Sequence, residues 1–338
     1  MATFLYVSLA GENKISIYSL DSEAGKLGFL KDVSLGGAVG PLAVGPEGRF
    51  LYAGIRSTCE MTSLRIDQCT GDLTIVGTVP LDADPCFIAT DRRGCFLFSS
   101  YYGAGAVAVH PILPDGAVGE RPIQWLQTAA NAHSIQTDPS NRFAFVPHIA
   151  GPNLIRQFEF DEQSGILEAN AVPQVVPEDK AGPRHFCFHP RLPVVYFVNE
   201  QGSSVTAYRF NSRFGTLGAF QTVSTLPTDY SGENTCAQIH ITPTGRFLYA
   251  SNRGHDSIAG FAIAPDTGRL ESIGQQPTEV MPRAFGLDPE GRFLFVGGLI
   301  SGKLASYRID GPTGALEPLE TIMVGQRPMC CLLYTSPS

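Results

Sequence analysis

Charged residues are scarce in this chain. They make up 17% of its 338 residues, and 32 Asp and Glu outnumber 24 Lys and Arg for a net charge of -8. Neutralising phosphates along a nucleic acid needs clustered Lys and Arg, and these are spread thinly, which excludes a nucleic-acid partner and makes any anion site local. Long apolar runs are missing as well. No stretch approaches the roughly 20 residues of a membrane span, and the opening MATFLYVSLAGENK lacks a basic segment followed by an apolar run and a cleavage site. The expectation is a cytoplasmic protein with no membrane partner. The eight cysteines (59, 69, 86, 95, 187, 236, 330 and 331) form no C-x-x-C and fall mostly in apolar strand-like runs, a pattern of reduced, buried thiols rather than disulfides or zinc ligands. G-x-S-x-G, H-E-x-x-H and Walker sequences are absent. GAGAVA at 103–108 matches a degenerate dinucleotide pattern but lies in a hairpin with no helix after it. No cofactor and no metal is expected, and nothing in the sequence sets an oligomeric state.

Turn formers and apolar residues are abundant: 36 Gly, 25 Pro and 43% hydrophobic residues suit a turn-rich protein with a large core. An aromatic phrase recurs seven times, as FLY at 4, FLY at 50, FLF at 96, FAF at 143, VVY at 194, FLY at 247 and FLF at 293. A turn ending in Gly recurs in phase with it, at 25, 71, 116, 165, 215, 268 and 314. Two markers in phase define a repeat. Within the sixth copy AQIHIT, FLYAS, SIAGFAIA and LESIGQQ read as four short strands separated by P-T-G, N-R-G and D-T-G turns. Four-stranded meanders of this length are propeller blades, so the sequence predicts an all-β, seven-bladed β-propeller forming a single domain over 1–338. The chain begins in a second-strand phrase, and RPMCCLLY at 327–334 supplies the missing first strand, so the termini share one blade and leave no open edge. Residues 334–338 read as a non-native tail without functional content.

First strands line a propeller's channel, and their starts share one face with the loops joining second to third strands. Counting back six residues from each strand-ending Pro gives His133, Arg184, Ala237 and Arg283, with Cys86 and Arg327 at the matching places in two other blades. Counting four forward from the last aromatic of the second strand gives Arg56, Tyr102, Glu200 and Arg253, with His148 one residue short of that position. The Arg of GRF and NRF (Arg49, Arg142, Arg246, Arg292) recurs from blade to blade and reads as structural. Residues that differ between blades at one shared face need another reason. Arg184, Arg253, Arg283 and Arg327 would form a cationic well for a carboxylate or phosphate, with Arg56 and His148 as further binding residues. Glu200 and His133 form an acid/base pair beside it. His185, His189 and His240 are weaker candidates: His189 precedes Pro190 at a turn and His240 falls in mid-strand.

These residues carry a resemblance. GPRHFCFHP (182–190), YFVNE (196–200) and IHITPTGRFLYASNRG (239–254), supported by AHSIQTDP (132–139), resemble the seven-bladed propeller lactonase family, which spans bacterial 6-phosphogluconolactonases and fungal carboxymuconate lactonizing enzymes. The likeness runs along nearly the whole chain. It implies catalytic or substrate-binding roles for His133, Arg184, Glu200 and Arg253, and a small anionic lactone or carboxylate as substrate. Family members commonly carry Asp-Leu-Gly after the fourth blade's second strand, where this chain has VPHIAGPN (146–153). Three readings follow: hydrolysis of a sugar lactone, cycloisomerisation of a muconate-type acid, and an interaction propeller without chemistry.

Overall fold

The computed structural model of the chain describes residues 2–149 and 151–335. It contains 28 strands in seven four-stranded antiparallel sheets. Six sheets are meanders of consecutive strands, spanning 39–80, 87–127, 136–175, 183–224, 235–277 and 282–323, and are numbered here as blades one to six. The closing blade places Pro328–Thr335 against Thr3–Leu9, with Phe4 opposite Tyr334 and Leu5 opposite Leu333. First strands of neighbouring blades touch at five of the seven boundaries; at blade three, whose first strand is only Gln136–Thr137, the ring is continued by the second strand Phe143–His148 against Pro183–Phe188 and by a core that joins Phe96 and Phe98 to Ala132 and Ala144. Among the described residues no helix is long and apolar enough to cross a membrane.

Burial follows distance from the channel. Second strands such as Val194–Asn199 are buried at every position, which is why they read as unbroken apolar runs, whereas fourth strands such as Leu270–Pro277 are exposed along much of their length. The hairpin between first and second strands is fixed by its Asp. Asp138 Oδ1 accepts from the backbone N–H groups of Arg142 and Phe143, each at 2.9 Å, so D-P-x-x-R-F is a turn closed by its own side chain.

The two sequence markers meet across the blade boundaries. A Cβ added to Gly116 (φ +87°) would lie 2.2 Å from the Phe50 ring, and the same encounter joins Gly71 to Phe4, Gly165 to Phe96, Gly215 to Phe143, Gly314 to Phe247 and Gly25 to Phe293. The turn glycine of one blade is therefore the seat for the first aromatic of the preceding blade's second strand. Next to two of these seats, and at Gly268, where Val194 takes the place of the ring, a tyrosine hydroxyl donates to the glycine carbonyl: Tyr6 to Gly71, Tyr249 to Gly314 and Tyr196 to Gly268, at 2.7–2.9 Å. Gly116→Ala combines left-handed backbone strain with a clash against a ring, and we expect it to destabilise the protein by about 1–3 kcal/mol. The check is a lower urea midpoint at unchanged m-value.

The repeated arginines have the structural role read from the sequence. Arg49, Arg142, Arg246 and Arg292 lie over the aromatic that follows each, at 5.1–5.8 Å from ring centroids, and Arg246 also donates to the carbonyls of Gly311 and Pro312 in the next blade. Two expectations need correction. Tyr334, read as tail, is buried in the core shared by the closing blade and blade one, and its hydroxyl donates to Gln68. Thr335 extends the same strand, and 336–338 lie outside the described residues. All eight cysteines are unpaired as expected, but only Cys236 and Cys331 are buried, and Cys69 and Cys95 are exposed.

Candidate active site

Glu200 opens the turn after Val194–Asn199, its N–H donating to Gly182 O (2.7 Å) and its C=O accepting from Cys236 N (3.0 Å). Those two bonds tie it to the first strands of blades four and five. Its carboxylate lies between two guanidinium groups: Arg184 Nε is 2.6 Å and Arg253 Nη2 is 3.1 Å from the same oxygen, Oε2. Arg184 also donates through Nη1 to Ala237 O, and Arg253 through Nη2 to Cys236 O (2.7 Å). The well expected from sequence thus has two of its arginines already engaged by a carboxylate and by backbone carbonyls.

A bulge explains how Arg184 reaches this place. Pro183 pairs with Asn199 and the next pairing is His185 with Val198, so Arg184 is the extra residue of the strand. Neighbouring strand residues ordinarily point to opposite faces, yet both Arg184 and His185 line one compartment of about 80 Å³ at the channel mouth, together with Cys86, Gln238, Arg283 and Met329. Arg283 is bulged out in the same way, between the pairs Pro282–Gly298 and Ala284–Gly297. His185 and Gln238 also line a deeper chamber of about 550 Å³ that extends toward Pro243 and Pro289 at the far ends of the first strands.

His133 stands in the irregular lead-in to the short strand Gln136–Thr137, held by its N–H donating to Pro147 O (3.0 Å). Its ring meets His185 edge to face at 5.1 Å, and His185 Nε2 lies 3.4 Å from Arg184 Nη1. The side chains therefore run in the order Glu200, Arg184, His185, His133, and Glu200 and His133 do not meet directly. Burial, then the charge of Arg184, and then His185 and Arg283 hold His133 well below the usual histidine range, so it is neutral at pH 7. His185 is lowered likewise, by burial first and then by Arg184 and Arg283.

The remaining candidates fall into two groups. Arg56 stands at the rim and binds Asp84 through both oxygens, at 2.7 and 2.5 Å, while still acting on Arg283 through its charge. Arg327 and His148 are held elsewhere. Arg327 is exposed in a left-handed turn (φ +56°) whose carbonyl accepts from Ala10 N. His148 is fully buried beneath the loop that carries His133, with Nδ1 3.0 Å from Ala130 O and its pKa lowered to about 4 by burial. Of the histidines placed behind these, His189 secures a turn through Gly245 O and the N–H groups of Arg191 and Leu192. His240 bonds Gln238 in the channel wall.

Sequence reasoning passed over two residues and ranked a third too low. His185 was placed among the weaker candidates because no periodicity announces the bulge that turns it to the mouth. Asp84 follows from no count along the strands. Asn252 is the other residue passed over. Buried completely, it donates to Thr225 O and Ser257 Oγ and accepts from Asn234 and from the Thr225 hydroxyl, a bracket that fixes the chain beside Arg253. This is why the sixth copy of the repeat ends in Asn-Arg. Among the described residues, no group of three or more His, Cys, Asp or Glu side chains could hold a metal ion.

Seven blades around a channel whose mouth gathers a carboxylate, a neutral histidine and guanidinium groups define a protein of the propeller class. The family model described as "Lactonase, 7-bladed beta-propeller" matches residues 3–333. The chain is 38% identical over 329 residues to a 6-phosphogluconolactonase of Pectobacterium carotovorum subsp. carotovorum (97% of this chain, 98% of that one). It is 37% identical over 329 residues to one of Yersinia pestis, covering 97% of each. A periplasmic gluconolactonase of Pseudomonas aeruginosa has a similar structure, with a TM-score of 0.91, 25% identity and full coverage of both chains. The chain belongs to the seven-bladed β-propeller lactonase family, and it is a lactone hydrolase.

Proposed function

We propose that the substrate is a sugar lactone carrying a phosphate, of the 6-phosphogluconolactone type, and that its ring is opened at the mouth of the channel. The observation that carries this reading is the Glu200 carboxylate with both ion pairs on Oε2, which leaves Oε1 for a water molecule. In the proposed reaction Glu200 takes a proton from that water as its oxygen bonds to the lactone carbonyl carbon. Arg184 and Arg253 oppose the negative charge that develops on the carbonyl oxygen. The ring C–O bond then breaks, and the proton returns to the ring oxygen by way of His133, giving a hydroxy acid that ionises and releases one proton to solvent. A cytoplasmic location belongs to the same proposal, since eight unpaired thiols suit a reducing compartment.

Carboxymuconate-type cycloisomerisation would use the same groups without water. The two chemistries part in a panel of phosphorylated and unphosphorylated gluconolactones and muconolactones, followed by proton release at neutral pH in ¹⁸O-labelled water. The expected result is the highest kcat/KM on the phosphorylated sugar lactone, with one label in the product carboxylate. Conversion of a muconolactone without label would overturn hydrolysis as the native reaction.

A further inference from the structure

Four arginines converge on the mouth, and their partners differ. Arg56 has both oxygens of Asp84, and Arg184 and Arg253 share Glu200 and each have a backbone carbonyl. Arg283 has neither an acid nor a carbonyl: among the described residues its guanidinium makes no ion pair and no hydrogen bond. It is nonetheless partly buried, bulged out of its strand into the small compartment beside Arg184 and His185. A desolvated cation without a partner is costly, and a fold keeps one where a ligand supplies the missing charge. Burial, followed by the charges of Arg253 and Arg56, lowers its pKa to about 10, which leaves it protonated at neutral pH.

The charge balance says what the ligand is. Four guanidinium groups against the two carboxylates of Glu200 and Asp84 leave two positive charges at the mouth. A phosphomonoester carries about -1.5 to -2 at pH 7 and neutralises that excess, whereas a single carboxylate neutralises half of it. We propose that Arg283 is the anchor for the substrate's phosphate and the residue that sets the preference for phosphorylated over unphosphorylated lactones, while Arg184 and Arg253, held beside Glu200, serve the reacting carbonyl. This rests on the sugar-lactone reading above and adds to it which arginine meets the anion.

The test compares the wild type with Arg283→Met and Arg283→Lys. For Arg283→Met the ratio of kcat/KM on phosphorylated over unphosphorylated gluconolactone should fall about 10- to 100-fold, the loss residing in KM, because one charge-assisted contact is removed. Arg283→Lys should recover part of it. In phosphate-free buffer Arg283→Met should have a higher melting temperature than the wild type, since it replaces an unpartnered cation with an apolar side chain. Inorganic phosphate should raise the wild-type melting temperature and leave that of Arg283→Met unmoved. An unchanged preference ratio, or phosphate stabilisation of equal size in both proteins, would overturn the assignment. If the wild type opened no sugar lactone, the substrate reading would fall while the phosphate titration still decided whether Arg283 binds the anion. If Arg283→Met failed to fold, the positive excess would be structural and the assignment wrong, and a wild-type ratio in a folded Arg283→Lys protein would not rescue it.

Discussion

Glu200→Gln should lower kcat by about a hundredfold or more, the usual contribution of a positioned acid or base. The substitution keeps the size of the side chain and one oxygen, but it removes the charge that Arg184 Nε and Arg253 Nη2 share and the proton acceptor at Oε1. Two nearly buried guanidinium groups then face each other with only carbonyls for partners, so a loss of stability accompanies the loss of turnover. Turnover is therefore to be measured well below the variant's own melting point. His133→Asn should also lower kcat, and the double variant should lose less than the product of the two single losses, because groups that serve one proton transfer do not act independently. The side chains stand at opposite ends of the order Glu200, Arg184, His185, His133, so this coupling would have to pass through the substrate. Near-normal kcat in Glu200→Gln, on a lactone the wild type converts, would remove the carboxylate from the chemistry and leave the arginines as a binding site.

The second large effect is on acid stability. His110, His148 and His240 are held at about 4 by burial, His133 and His185 lie well below the ordinary value, and all five are neutral in the fold. Their folded pKa values lie below those of the unfolded chain, so in the interval between them the unfolded chain binds more protons. Stability from these groups is complete above about pH 6.5 and is lost as the pH falls toward 4. Each histidine contributes a slope of up to about 1.4 kcal/mol per pH unit. For His110, His148 and His240 the loss accumulated by pH 4 is about 3 kcal/mol each, together comparable with the whole stability of a typical protein, about 5–15 kcal/mol. Asp288, whose pKa is raised by burial, opposes the trend only weakly. The protein should unfold between pH 6 and 4 with uptake of several protons, seen as a steep fall of the urea midpoint across that range. His240→Gln should flatten the slope by about one histidine's share. A midpoint constant from pH 7 to 4.5 would mean that these histidines titrate normally in the fold. The activity of the folded enzyme should not show an acid limb at 6.5, because His133 is already neutral there.

The repeat was legible because blade packing is the same problem solved seven times. Gly116 must accept Phe50 as Gly314 must accept Phe247, so both members of the pair recur at one spacing and the number of blades can be counted without coordinates. The closing blade followed from the same alignment. Individual site residues were legible where they broke the repeat, as Glu200 and Arg253 do at a position that is Ala10, Ile149 and Leu299 in three other blades. Their contacts were not, because a count along a strand gives a face and a height but no partner. The bulge that turns Arg184 and His185 into one compartment is a backbone event without a residue signature, and His148 and Arg327, which separate counts bring to the same mouth, end under a loop and in solvent.

Sequence by itself determined the seven blades, their closure and the face to which Glu200, Arg56, Arg184, Arg253 and Arg283 belong, because these depend on local patterns repeated within each unit. Only the tertiary structure decided which cation meets which acid. Glu200 takes Arg184 from its own blade and Arg253 from the next, Asp84 takes Arg56, and among the described residues Arg283 is left without a partner. Electrostatic pairing varies inversely with distance and falls off sharply where solvent intervenes, so it is set by the few ångströms by which a bulge or a turn displaces a side chain, and residue spacing does not encode those.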